Sequence, residues 1–284
     1  MIGILDSSNN DLLISIIIPT FNSHNTLERC LKSIVEQDYN NFEIWLIDAV
    51  STDGTLLILE KYKEQYSFIH FITEHDKGIY DAMNKGVNLC AGEWIYFLGS
   101  DDTLYDNNVL SSVINKIKTC DDKVIYGNVI MRGQNQWNLD GVVFAGEYNL
   151  ERILNMTICH QALFYSKIVF EKYGNFDLKY NVDSDYDFNL RCYANTSFSY
   201  LDIIVANFFV GGHSTNTKEL AFHKNRGAIL LKYFKTRIYQ KPFMNSRLYL
   251  RRAALSLNSP LNIGGRLFCL FAYIKLKIQS LIYN

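Results

Sequence analysis

An α/β fold, a mostly parallel twisted sheet flanked by helices and followed by a helical basic extension, is predicted by three features of this 284-residue sequence. Short apolar runs rich in β-branched residues alternate with segments of helical spacing from Ile14 to Asp102, the pattern expected when crossover helices join parallel strands. Pro19-Thr20, Asp48 and Asp101-Asp102 each sit just past one of these runs, and open parallel sheets bind ligands at the carboxyl ends of their strands. Charge divides the chain: residues 1–217 hold 15 Lys plus Arg against 28 Asp plus Glu, a formal −13. Residues 218–284 hold 13 basic residues against the single acid Glu219, a formal +12. A body at 1–217 and a basic extension at 218–284 are therefore expected.

Taken in order, Ile14–Ile18 reads as a buried strand closed by Pro19. Leu27, Leu31, Ile34 and Val35 give Thr26–Gln37 one apolar helical face. Phe42–Ile47 is a second strand ending at Asp48, and Ser51-Thr52-Asp53-Gly54-Thr55 supplies capping residues for a helix running to about Tyr66. Phe68–Thr73 reads as a third strand, Ile79–Asn88 as a helix, and Trp94–Leu98 as a strand that stops at Gly99-Ser100-Asp101-Asp102. The second half is less regular, with strands at Val124–Met131, at Ala162–Tyr165 and within Ser199–Val210. A turn-rich loop spans Gly133–Gly141, and Asp183–Ala194 has helical spacing. From Glu219 onward the chain reads as helical, with turns at Ser259-Pro260 and Gly264-Gly265.

Composition narrows the class. With 48% hydrophobic residues and only 3 prolines, the chain has the makings of an ordered globular core. The six cysteines form no C-x-x-C pair, so neither a zinc site nor a disulfide framework is indicated, and a reducing cytoplasm fits. The N-terminus lacks the pattern of a signal peptide, and no apolar run approaches the ~18–20 residues of a membrane helix, so a soluble or peripheral protein is expected.

Asp101 and Asp102 are either a helix N-cap or part of a site for a hard divalent cation, which prefers carboxylate oxygens plus substrate phosphates. Asp48 is a cap or a hydrogen-bond acceptor for a nucleotide base or ribose. The segment Asp76-Lys77-Gly78-Ile79-Tyr80-Asp81-Ala82-Met83-Asn84-Lys85-Gly86 joins an acidic loop to a helix start suited to phosphates. Asp76 and Lys85 are its binding candidates. No Walker motif and no G-x-G-x-x-G after the first strand supports a dehydrogenase.

ISIIIPTFN, the spacing to Ser33 and Gln37, EIWLIDAVSTDGT, EHDKGIYDAMNKG and FLGSDD together resemble successive blocks of family-2 glycosyltransferases with the GT-A fold, over residues 13–215. The resemblance implies an inverting enzyme that uses a nucleotide-diphosphate sugar, a UDP-hexose or UDP-N-acetylhexosamine, with Pro19, Thr20 and Asp48 contacting the base. It places the family's D-x-D motif, which contacts ribose and a Mn²⁺ or Mg²⁺, on Gly99-Ser100-Asp101-Asp102, where the first acidic position is Gly99. Metal ligation falls to Asp101 or Asp102, with His213 of GGHST as a further ligand candidate or a structural residue. His160-Gln161-Ala162 and GNFDLKYNVDSDYDFNLR resemble the acceptor-side block, which makes Asp185 the catalytic base, with Asp183 and Asp187 as close competitors. His160 shapes the acceptor pocket or is a buried, hydrogen-bonded core residue.

The resemblance further implies a saccharide acceptor on undecaprenyl diphosphate in bacterial surface-polysaccharide assembly, such as O-antigen or capsule, at the inner face of the cytoplasmic membrane. Residues 218–284 interleave Lys and Arg with aliphatic and aromatic residues. They either pack on the body or adsorb to an anionic bilayer. Nucleic acid is disfavoured because the acidic body would repel it. A non-catalytic, GT-A-like module that binds glycan or nucleotide is the alternative, and the intact Asp101, Asp102 and Asp185 speak against it.

Overall fold

The computed structural model describes residues 12–133, 138–211 and 220–282. Strands β1 (Ile14–Thr20), β2 (Phe42–Asp48), β3 (Ile69–Thr73) and β4 (Trp94–Phe97) form a parallel block in the order β3-β2-β1-β4. β1 and β4 are buried along nearly their whole length, as strands covered on both faces must be, which is why they read as continuous apolar runs. Helices α1 (Leu27–Val35), α2 (Thr55–Gln65) and α3 (Ile79–Leu89) make the crossovers. α1 turns Leu27, Cys30, Leu31 and Ile34 inward. α3 crosses the sheet at Gly86, where a Cβ would collide with the side chain of Ile17.

The second half adds β5 (Thr103–Leu104), α4 (Val109–Lys118), β6 (Val124–Arg132), β7 (Val143–Phe144), α5 (Leu150–Ile153), β8 (Leu163–Ser166), α6 (Lys167–Tyr173), α7 (Ser184–Asn195) and β9 (Phe198–Phe209). The sheet continues as β4-β8-β6-β9-β5, with β7 beside β6. β8 runs antiparallel to both β4 and β6, β9 runs parallel to β6, and β5 runs antiparallel to β9. The expected parallel sheet is thus its first four strands, and the whole is mixed.

The extension contributes α8 (Leu220–Phe234), α9 (Arg247–Leu255) and α10 (Ile263–Ile282). Ser259-Pro260 lies between α9 and α10, whereas Gly264-Gly265 is not a turn but the first turn of α10. The Asn262 side chain accepts the Gly265 amide at 2.8 Å and starts the helix there, a capping bond that offsets the low helix propensity of glycine. α8 packs directly on α7. Tyr233 donates to the Asp187 carboxylate at 2.9 Å, the buried Arg226 donates to Leu154 O at 2.6 Å and to the Tyr186 hydroxyl, and His223 stands 3.6 Å from Asp183. The expected boundary at 217/218 lies outside the described residues.

The close approach of α3 to β1 carries a stability consequence. Gly86→Val is expected to destabilise the fold by about 1–3 kcal/mol through overpacking against Ile17, seen as a lower urea midpoint, and an unchanged midpoint would contradict this packing.

Candidate active site

The carboxyl ends of β1, β2 and β4 and the start of α3 enclose a cleft of about 640 Å³. Pro19, Thr20, Asp76 and Asp101 line it, together with Phe21, Ser23, Gly78, Ile79, Gly99 and Ser100. The register explains the convergence: Thr20 pairs with Asp48, so β1 and β2 end together, while β4 ends at Phe97 opposite Ile17 and its continuation Gly99–Asp101 reaches the same rim. Gly78 takes φ 113°, and no side chain caps the α3 N-terminus behind it. That helix end, with its unpaired amides and positive dipole, faces the cleft. Phe21, 64% exposed, stands at the cleft wall as an apolar plate.

Two expected donor contacts are placed differently. Asp48 is fully buried and does not line the cleft. Its Oδ1 accepts Ser51 Oγ at 2.5 Å and Thr20 Oγ1 at 3.3 Å, and its Oδ2 accepts Ser51 N at 3.0 Å. It therefore braces the cleft loops from behind. Lys85 does not line the cleft either. Its ammonium lies 2.8 Å from Glu74 and donates to His75 O at 2.7 Å, so it fastens the loop that carries His75 and Asp76.

Asp101 and Asp102 diverge in environment. Asp102 is 1% exposed, and both its oxygens are engaged: Oδ1 accepts Phe209 N and Oδ2 accepts Gln161 Nε2, each at 2.7 Å. Burial, reinforced by the neighbouring Asp101 carboxylate, raises its pKa to about 8. Asp101 is less buried, and burial raises its pKa as well, opposed in part by the Arg29 charge. Arg29 donates to Asp101 O at 2.6 Å and lies over the Phe209 ring at 3.7 Å. Among the described residues, no group of three or more His, Cys, Asp or Glu could hold a metal ion. The donor set is hard oxygen with Asp101 facing the cleft, which fits a Mg²⁺ or Mn²⁺ that takes one carboxylate and completes its shell with phosphate oxygens and water. It does not fit a closed protein cage. His213 lies outside the described residues.

Next to the cleft is a cavity of about 280 Å³ lined by Asp102, Cys159, His160, Gln161, Asp183 and Asp185, with Ile79, Gly99 and Asp101 shared between the two. Asp185, at the start of α7, accepts Tyr80 OH at 2.9 Å and Tyr186 N at 2.8 Å, both on Oδ1. Burial lifts its pKa to about 6 despite those bonds. Of its two competitors, Asp187 is fully buried, paired with Tyr233 and 3.7 Å from Arg191, and it does not line the cavity. Asp183 does line it, facing His223. His160 is held among Phe97 and Phe176, its ring nitrogens without partners, and burial depresses its pKa to about 4, so it is a neutral ring in the wall. Phe21 and Tyr80 lie inside the blocks ISIIIPTFN and EHDKGIYDAMNKG without being marked there as site residues, and Arg29 lies in neither. The only signal for Tyr80 was its place inside the GIYDAM block.

Residues 15–174 match the family model described as Glycosyl transferase family 2. PGL/p-HBAD biosynthesis glycosyltransferases of Mycobacterium tuberculosis and Mycobacterium bovis are 40% identical over 213 residues, covering 72% of this chain and 80% of theirs. Chondroitin synthase of Escherichia coli is 28% identical over 221 residues, covering 75% of this chain and 31% of that protein. Among solved structures, S. aureus TarS 1–349 in complex with UDP-GlcNAc aligns with a TM-score of 0.63 at 20% identity, over 94% of this chain and 73% of that one. The mannosyltransferase PcManGT of Pyrobaculum calidifontis, in complex with GDP-Man and Mn²⁺, aligns with a TM-score of 0.56 at 19% identity, over 95% and 79%.

Gly99 can be tested directly. A Cβ there would stand 2.6 Å from Asp102 Oδ2 and 2.9 Å from Asp101 Oδ1. Gly99→Asp, which adds the missing first acid of the motif, is therefore expected to destabilise the fold by about 1–3 kcal/mol through crowding. Chemical denaturation checks this, and an unchanged or raised midpoint would refute it.

Proposed function

We propose that this chain, which belongs to glycosyltransferase family 2, transfers a hexose or N-acetylhexosamine from a UDP-sugar to a hydroxyl of a saccharide acceptor with inversion at the anomeric carbon. The observation that carries this reading is the wall of Ile79, Gly99 and Asp101 common to both cavities, with a phosphate-suited cleft on one side and Asp185 on the other. A sugar seated at that wall has its leaving group toward the cleft and its attacked face toward the cavity. Phe21 offers its ring to the base, and the α3 N-terminus its amides to the diphosphate. A Mg²⁺ or Mn²⁺ held through Asp101 would neutralise charge on the departing diphosphate.

Asp185 Oδ2 has no partner among the described residues and takes the proton of the acceptor hydroxyl as it attacks. Tyr80 and the Tyr186 amide hold Oδ1, so the carboxylate keeps one orientation. Relatives named PGL/p-HBAD biosynthesis glycosyltransferase and chondroitin synthase support a glycosylated product.

The acceptor is carried on a lipid such as undecaprenyl diphosphate, and the enzyme works on an anionic membrane surface. α10 supports this. Leu267, Phe271, Ile274, Ile278 and Leu281 recur every three or four residues on its exposed side, while Cys269, Ala272, Leu276 and Ser280 pack inward. No helix among the described residues is long and apolar enough to cross a membrane, so such a face would lie along the surface. A second copy is the poorer occupant, since Lys275 and Lys277 would meet their own kind.

Asp185→Asn is expected to keep UDP-sugar binding while transfer falls about 10²–10⁴-fold, measured as UDP release with a donor and acceptor panel. Undiminished transfer would remove Asp185 from the base role. The base acts only when ionised, so the wild-type rate should rise with pH through about 6 and fall below it. A profile flat across that range would count against the assignment. For the membrane, wild-type protein is expected to float with phosphatidylglycerol vesicles, and Phe271→Gln with Ile278→Gln to remain at the bottom of the gradient. Equal flotation of the two proteins would dismiss α10 as the contact.

A further inference from the structure

Beside the cavity that holds Asp185 lies an apolar pocket of about 240 Å³. Thr157, Cys159 and Phe208 form walls of both, so the two adjoin. Val129 and Met131 of β6, Phe144 of β7, Tyr148 and Met156 close the pocket, and among the described residues no charged side chain lines it. Among the described residues no Lys or Arg lines either cavity. At the mouth, β7 turns both its residues to solvent, and Val142, Val143, Phe144 and Met156 are each 39–41% exposed. Single exposed apolar residues are ordinary, but a cluster at the rim of an apolar cavity next to a catalytic carboxylate marks a binding surface.

We propose that this pocket receives an uncharged apolar substituent, an aryl or alkyl group, attached to the very sugar whose hydroxyl meets Asp185. The inference rests on the transferase reading above and narrows its acceptor. Adjacency is what narrows it: Thr157, Cys159 and Phe208 wall both cavities, so the pocket borders the space of the sugar whose hydroxyl meets Asp185. A diphosphate is the poorer occupant, because among the described residues no Lys or Arg lines the pocket to offset its desolvation. A sugar that carries this group at its anomeric carbon has no anomeric bond left for a lipid diphosphate, so here the apolar aglycone takes the place of the diphosphate carrier.

The test pairs phenyl and methyl glycosides of the same hexoses and N-acetylhexosamines, assayed with the full chain and a UDP-sugar panel. Transfer is measured as kcat/KM and binding as Kd by calorimetry. The phenyl glycoside is expected to be favoured about tenfold in both, the order that burial of one ring supplies. Phe144→Ser and Met156→Ser, both at the solvent-facing mouth, are expected to move the phenyl-to-methyl ratio toward one. Equal values for the two glycosides in the wild type, or a preference that survives both substitutions, overturns the proposal. Phenyl-selective binding without transfer to any acceptor upholds the pocket and overturns the transferase reading. Transfer without phenyl selectivity does the reverse.

Discussion

One buried carboxylate holds the two halves of this molecule in register. Asp102 sits just after β4, yet its acceptor oxygens are filled by Gln161, 59 residues downstream, and by the amide of Phe209, 107 residues downstream. Gln161 lies in the turn that leads into β8, and Phe209 ends β9. Placing an ionisable group there is costly, which the upward shift of its pKa expresses. What offsets the cost is geometry, since two elements with no sequence proximity to β4 are tied to the end of that strand. His160, Cys159 and Phe208, neighbours of the tied residues, then fall into the wall of the cavity that Asp185 occupies. The relative position of the donor cleft and the base rests on this group together with the β4–β8 and β5–β9 ladders.

The cleft itself is stiffened by strain that its loops share. Asn22 and Val50 adopt φ of 49° and 60°, a region that costs on the order of 1–3 kcal/mol for a residue with a side chain, most of all a β-branched one. Such conformations persist only where surroundings enforce them. Here the Asn22 amide donates to Ser51 Oγ at 2.8 Å, Asn22 Oδ1 accepts Thr52 N at 2.9 Å, and Ser51 is in turn fixed to Asp48. Ser23 adds bonds to Thr55 and Ser100, so the segments after β1, β2 and β4 are laced together. A cleft laced in this way has little freedom to lose when a ligand binds. Asp48 thus belongs to the site as a brace, a role that a strand-end acid does not advertise in sequence.

The first four strands and their crossovers were legible because each has a strong period and is long enough to show it. β5 and β7, with two residues each, and α5, with four, are too short to carry any period, and the antiparallel direction of β8 is a property of the sheet and not of its own residues. At the site, strand-end position pointed to Asp101 and Asp102 and the family resemblance to Asp185, but neither said what each would touch. Asp183, Asp185 and Asp187 are indistinguishable by spacing. Tertiary partners separate them, since Tyr233 and Arg191 take Asp187 out of the cavity and Tyr80 orients Asp185 within it. Lys85 shows the converse: a cation expected at phosphates was drawn off by Glu74 and a carbonyl, partners whose proximity only the folded loop creates.

The charge split along the chain acquires a physical account from the arginines of the extension. Arg226 donates to the carbonyl of Leu154, Arg237 to that of Ala194, Arg247 to that of Met244, and Arg266 to those of Ala254 and Ser256. Most of these carbonyls lie at or just past the C-terminal ends of α5, α7 and α9, where unpaired acceptors and the negative pole of the helix favour a cation. A carbonyl accepts a hydrogen bond from a guanidinium but leaves its full charge in place. These arginines therefore fasten the extension through neutral acceptors and keep their positive charge, while Tyr233 adds its bond to the Asp187 carboxylate on α7. Had the same arginines been paired with carboxylates of the acidic body, the fastening would have been retained and the charge neutralised.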